Sequence, residues 1–355
     1  MYTTKEAVLQ DKILSRIQNN IPKIEDVISK IQRDGNNLND LLIPSKLIKF
    51  SANGSVYADY NGTNNAFTDF SLSQMADKVN IPVKYINSLA GTDWGRQLTA
   101  YILNEHVQKG EPQNLLIREV DGNIRGVLSD RYKRMNSLQI FMSFFNAAMS
   151  AGAKLFDGLH TDSKNFLEVV HPDLIPVETP NNGVVNLVMG ARIRNSDFGD
   201  GALTLNVFIL NAICLNGMVG EQLLREIHLG ARINGIQQYL SFDTISKETE
   251  AQAAIIGDTM KSIFSGETRE KEINRIVNAS SKIIDLNNEI KQLPKLGVQQ
   301  EEIKNLTNKL MANNPDDGVQ GKNSLWKLVQ GLTSVANEQP PARTRELQEI
   351  ASQLY

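Results

Sequence analysis

An α+β fold is what this sequence of 355 residues predicts: an antiparallel β-rich core with hairpins, N-terminal helices and a helical C-terminal arm. Three observations carry the expectation. Apolar residues recur at helical intervals near both ends of the chain, and the middle alternates apolar runs with Asx-Gly turns. The hydrophobic share of 41%, against 22% charged residues, suffices for a real core. The implied segments are an N-terminal helical part over 1–45, an α+β core over 46–245 and the helical arm over 246–355.

At the N-terminus, Leu14, Ile17, Ile21, Ile24, Val27, Ile28 and Ile31 share helical spacing. Pro22 interrupts them, so residues 5–33 form one kinked helix or two short ones. Residues 50–65, rich in Gly, Asn, Tyr and Ser, read as strand and turn. Over 72–91 a helix, the turn Asn80-Ile81-Pro82 and a second helix follow, with Ser71 or Ser73 as cap. This is the rhythm of a DNA-reading helix-turn-helix and equally of an ordinary packing corner; Lys84, Tyr85, Asn87 and Ser88 are its only readers.

From Asn114 the runs LLIREV and IRGVLS flank Asp121-Gly122-Asn123 and predict a β-hairpin. Ser129 or Asp130 caps the next helix, over 138–150. A second β region spans 166–210, closed into an antiparallel pair by the turn over 197–201. Beyond Lys247 the pattern is helical. Ile276, Ile283 and Ile290 repeat every seven residues, with Ala279, Leu286 and Leu293 completing a coiled-coil-like seam suited to oligomerisation. Acidic and basic residues balance there, which argues against a polybasic tail. A helix over 324–337 precedes Pro340-Pro341 and a last short helix.

The net charge of −3 means that any nucleic-acid site must concentrate its cations locally. Cys214 is the single cysteine, which excludes an intrachain disulfide and a Cys-rich zinc site. The start lacks a signal-peptide core and no apolar run reaches membrane-spanning length, so no membrane and a bacterial cytosolic location are expected. Asn53-Gly-Ser and Asn61-Gly-Thr match glycosylation sequons but read as turns.

No catalytic group, cofactor or metal is expected. Gly318-Val-Gln-Gly321-Lys322 has the wrong spacing for a phosphate loop. Asp197-Phe198-Gly199 lacks the rest of a kinase, and Asp197 with Asp200 lacks the distal Glu of a calcium loop. His106, His160, His171 and His228 are scattered. Cys214 with His228 is the one conceivable nucleophile–base couple, in an apolar run where a lone cysteine is ordinarily buried.

The basic residues are more informative. Arg118, Arg125, Arg131, Lys133 and Arg134 fall in the hairpin and the turn after it, interleaved with Tyr132. Arg192 and Arg194 project from one face of a strand, and Arg225, His228 and Arg232 follow the Asn216-Gly217 turn. On a shared face they would form a phosphate groove, with Tyr132 or Phe198 stacking on bases. Otherwise each arginine pairs with a neighbouring carboxylate.

Three stretches in order, Gly126-Val-Leu-Ser-Asp-Arg-Tyr132, Asn195-Ser-Asp-Phe-Gly-Asp-Gly201 leading to Ile213-Cys-Leu-Asn-Gly-Met-Val219, and Leu325-Trp-Lys-Leu-Val-Gln-Gly-Leu-Thr333, resemble the phage/plasmid-like family known as domain of unknown function 932. The late helix reads Val329-Gln330-Gly331 where that family has Asn-Ala, and the first 45 residues lie outside the resemblance. It implies a mobile-element origin and no settled activity. By architectural analogy with phage annealing recombinases, the leading expectation is a homo-oligomeric protein binding single-stranded DNA. Its phosphate contacts would be Arg118, Arg125, Arg131, Lys133, Arg134, Arg192, Arg194 and Arg232, with Tyr132 stacking. The rivals are a non-enzymatic phage assembly or host-interaction protein and, with least support, an enzyme using Asp197, Asp200, Cys214 and His228.

Overall fold

The computed structural model describes residues 4–60, 62–226 and 242–355. The fold is α+β, built on two sheets of six strands each.

The chain opens on α1 (Thr4–Asn36), a single helix that contains Pro22. Its apolar stripe, Ile13, Ile17, Ile24, Val27 and Ile31, is buried, as the spacing predicts. The expected N-terminal helical segment ends early, because β1 (Leu38–Pro44) leaves the helix and joins a sheet. That sheet continues with β2 (Lys49–Asn53), β3 (Ser55–Tyr60), β4 (Thr63–Phe67), β5 (Asn114–Val120) and β6 (Asn123–Ser129) in the order β1-β5-β6-β4-β3-β2. The β5–β6 hairpin turns at Asp121 and Gly122, both at positive φ (52° and 75°), which is the geometry an Asp-Gly pair tolerates. Helices α2 (Asp69–Lys78), α3 (Val83–Leu89) and α4 (Asp93–Lys109) cover one face around Met75, Ile86, Leu103 and Ile117. Thr68 caps α2, accepting from Ser71 N–H at 3.2 Å, whereas the sequence suggested Ser71 or Ser73.

The second sheet runs β12-β11-β10-β8-β7, with β9 also paired to β10. Its strands are β7 (Lys154–His160), β8 (Asn165–Val170), β9 (Ile175–Thr179), β10 (Gly183–Asn195), β11 (Leu203–Asn211) and β12 (Gly217–Glu226). The β10–β11 pair is antiparallel and closed by the turn over 197–201, as expected. Helix α5 (Ser137–Ser150) precedes this sheet. The carboxylate that meets its N-terminus is Asp197, accepting from Ser137 N–H at 2.8 Å, so neither Ser129 nor Asp130 is the cap.

The C-terminal helices α6 (Phe242–Ile263), α7 (Gly266–Ser281), α8 (Leu286–Ile290), α9 (Gln300–Ala312), α10 (Leu325–Ala336) and α11 (Pro341–Ser352) do not project from the body. One hydrophobic cluster joins them to α1, α5 and the second sheet. All of α10 is buried, Trp326 included, with Ser324 capping it through Lys327 N–H at 3.2 Å. The seven-residue seam is not a continuous helix. The helix ends at Ser281, Lys282 is extended, and Ile283 bridges to Ser324. Ile276 and Leu293 face the same core from separate helical turns, while Ile283 at the break between them is 55% exposed.

Candidate functional site

The predicted phosphate contacts go to three places rather than one groove. Arg118 is fully buried on β5, and all three of its nitrogens are engaged: Nε donates to Asp40 Oδ1 at 2.7 Å, Nη1 to the Asp197 carbonyl at 2.6 Å, and Nη2 to Asn136 Oδ1 at 2.9 Å. Arg134 reaches the same Asp40 carboxylate at 2.9 Å. Arg125 is held by Asp34 at 3.1 Å and by the Asp162 carbonyl at 2.7 Å, with its guanidinium 4.7 Å from the centre of the Phe198 ring. Tyr132 is buried and donates to the Ser196 carbonyl at 3.0 Å, so its ring is not available for stacking on a base. Arg131 is exposed and Lys133 half-buried on the same turn. Arg225 is exposed at the end of β12, and Arg232 and His228 lie outside the described residues.

These contacts form a joint between the two sheets. Gly126 lies under Phe198, where an added Cβ would stand 3.3 Å from that residue, and Asn195 Nδ2 donates to the Met135 carbonyl at 2.9 Å. The first two motifs behind the family resemblance therefore pack against each other. The third does likewise, Gln330 Nε2 on α10 donating to Met218 Sδ at 3.7 Å. Asp197 serves the joint and the α5 terminus. Asp200 pairs with Lys164 at 3.1 Å and accepts from the Ser163 hydroxyl. Burial pushes the Cys214 thiol up to about 12, which keeps it protonated and unreactive.

Arg192 and Arg194 do share a face, as their spacing requires, but α11 covers it. Arg194 pairs with Glu349 at 3.2 Å. Arg192, 2% exposed, grips Glu168 at 2.8 Å and donates to Gln348 Oε1, its plane 5.0 Å from the Phe208 ring centre. Beside this pair opens a cleft of about 380 Å³, walled by α1, β7, β8, the turn after β11, and α11. That volume is within the roughly 300–1,000 Å³ usual for ligand pockets.

The charges in the cleft do not balance. Arg345 lines it while only 3% exposed. It reaches Asp157 at 3.0 Å and Glu168 at 3.5 Å, and its Nε has no hydrogen-bond acceptor. Lys23 reaches the other Asp157 oxygen at 2.5 Å. Two carboxylates thus serve three cations, Lys23, Arg192 and Arg345. Arg16, also on the wall, makes no hydrogen bond or ion pair among the described residues. Burial lowers the pKa of Arg192, Glu168 offsets this only in part, and the neighbouring Arg345 lowers it further. Burial raises the Asp157 pKa, but Arg345 and Lys23 outweigh it and hold the carboxyl below its ordinary range.

Sequence reasoning passed over Arg16, Lys23, Asp157, Glu168 and Arg345. One signal was present: Glu168 is the sole charge in the strand NFLEVV, and an acid in an apolar strand calls for a buried cation. Arg16 and Lys23, two turns apart on a predicted helix, mark a common face.

No protein-family model matches the chain, and no curated protein and no solved structure matches it either.

Proposed function

We propose that the chain is a non-catalytic binding protein that receives an anionic ligand in the cleft between α1 and α11. The observation that supports this is the shortage of carboxylates: a buried arginine shares its acids with two other cations, and a fourth cation at the wall has no partner. An excess of positive charge in a partly desolvated cleft attracts an anion more strongly than the same charges do in open solvent. Single-stranded nucleic acid is one source of such an anion. The hairpin arginines would contribute little to holding it, because Arg118 and Arg125 are buried and already engaged by oxygen acceptors. A phage or plasmid origin, suggested by the order of the three motifs, agrees with this reading.

Isothermal titration with sulfate at low and high chloride tests it. Saturable binding that weakens with salt and weakens again in Arg16→Ala is the expected result. Absence of binding at low salt removes the proposal.

A second reading, a protein-interaction role, is supported by one surface feature. Trp94 and Tyr101, 63% and 62% exposed, stand one heptad apart on α4, and such aromatics are frequent anchors at interfaces. Light scattering would compare the oligomeric state of wild type with that of the Trp94→Ala/Tyr101→Ala variant. An unchanged assembly would count against α4 as the self-association surface.

A further inference from the structure

We infer that the ligand of the α1–α11 cleft is a phosphate monoester, its dianionic phosphate held between Arg16 and Arg345 and its polar body lying against the amides and hydroxyl of the opposite wall. The inference rests on the anion-binding reading and adds the chemical class.

Charge sets the first half of the argument. Arg16, Lys23 and Arg345 line the cleft with Asp157 and Glu168, and Arg192 behind them draws on the same Glu168, an excess of two positive charges over this network. Glu349 also favours the Arg192 charge, but it is paired with Arg194, so that pair leaves the balance unchanged. A monoester carries about −1.5 to −2 at neutral pH, close to that excess, whereas a phosphodiester or a carboxylate brings a single charge. Arg345 also offers a planar fork, and the fork geometry of guanidinium suits a phosphate oxygen pair better than it suits a monatomic anion. Two of its donor nitrogens are already turned to Asp157 and the Pro341 carbonyl, and the enclosed Nε stands 3.5 Å from Glu168 without a hydrogen bond.

The walls set the second half. Asn337, Gln339, Thr344 and Gln348 line the cleft with hydrogen-bonding groups. The two phenylalanines at its floor, Phe156 and Phe208, are themselves buried. Asn337 donates to Asn216, Thr344 to the Ala336 carbonyl and Gln348 accepts from Arg192, while the Gln339 amide makes no side-chain hydrogen bond among the described residues; a sugar or nucleoside body would pair with it where an acyl chain would not. Because α1 contributes Arg16 and α11 contributes Arg345, the bound phosphate also ties the N-terminal helix to the C-terminal one.

Two sources supply this chemistry, a free nucleotide or sugar phosphate and the phosphorylated end of a nucleic-acid strand. Titration calorimetry on the full chain would use sulfate, inorganic phosphate, ribose 5-phosphate and AMP, then a ten-nucleotide DNA with a 5′-phosphate and the same strand with a 5′-hydroxyl. Ribose 5-phosphate, AMP or the 5′-phosphorylated strand should bind at least tenfold more tightly than sulfate, with the gain lost in Arg16→Ala. Tight binding by the small esters alone identifies a metabolite as the source, and by the 5′-phosphorylated strand alone a strand end. Equal affinity for sulfate and every ester overturns the monoester and leaves the anion site standing. Equally tight binding of the two strands, exceeding that of the small esters, assigns binding to internal phosphodiesters and also overturns it. If nothing binds, sulfate included, the anion-binding reading falls with it.

Discussion

Two buried arginine networks in this molecule look alike in composition and differ in balance. At the joint between the sheets, Arg118 and Arg134 meet Asp40 and Asp197, and every nitrogen of Arg118 has an oxygen partner. Burial works against the Arg118 charge, but Asp40 and Asp197 outweigh it, and its pKa stands above the ordinary value, while Arg134 at the rim is lowered by burial and by Arg118 in spite of Asp40. Under α11, Arg192 is equally buried yet its pKa is lowered, because burial and the neighbouring Arg345 oppose its charge and Glu168 with Glu349 does not compensate. A buried arginine is therefore not in itself a sign of ligand binding. The informative quantity is the number of acids that serve it, since desolvating a charge is costly unless it is paired.

Breaking the joint should have the largest effect. Arg118→Ala leaves Asp40 to Arg134 alone and the buried Asp197 without its nearby cation, and urea denaturation should show a loss of about 3–5 kcal/mol, the range for breaking a buried pair. Sulfate affinity of the folded fraction should be unchanged. A loss under about 1 kcal/mol would mean that the joint is not held by this ion pair.

The cleft should answer the other way round. Arg16 is exposed and without a partner among the described residues, so Arg16→Ala should shift stability by no more than about 0.5 kcal/mol. Anion affinity should nevertheless fall about tenfold, equivalent to roughly 1.4 kcal/mol. A variant that loses stability while keeping its affinity would erase the distinction between the two networks.

A smaller effect is expected with pH. The folded-state pKa of Asp157 lies below its unfolded value of about 3.9, so its ion pairs contribute fully above that value. The contribution is lost as pH falls through the lower, folded-state value. Between about pH 5 and pH 2, wild type should therefore lose more stability than Asp157→Asn. Parallel losses in the two proteins would show that Asp157 carries no native-state pairing.

How much of this was legible in the sequence varies with the range of the interaction. The hairpin at Asp121-Gly122 and the Ser324-capped helix are local, and both follow from turn and cap chemistry. The β1 strand escaped because Leu38–Pro44 is short, lacks alternation and ends on proline; its strand conformation comes from pairing with β5, far along the chain. The seam from Ile276 to Leu293 misled because its residues fall on separate helical pieces that meet one core, with Ile283 left exposed at the break. Arg192 and Arg194 were correctly placed on one face, but what covers them lies 155 or more residues away on α11. The cleft draws on α1, β7, β8 and α11, so no window of sequence contains it.

The central claim is that the cleft holds more positive charge than its own carboxylates can satisfy. Titrating sulfate into wild type and Asp157→Asn side by side tests it most directly, because the substitution removes one of the two acids without enlarging the cleft. The account predicts several-fold tighter binding to the variant, the anion taking over the freed contacts of Lys23 and Arg345. Equal or weaker binding to the variant would contradict it.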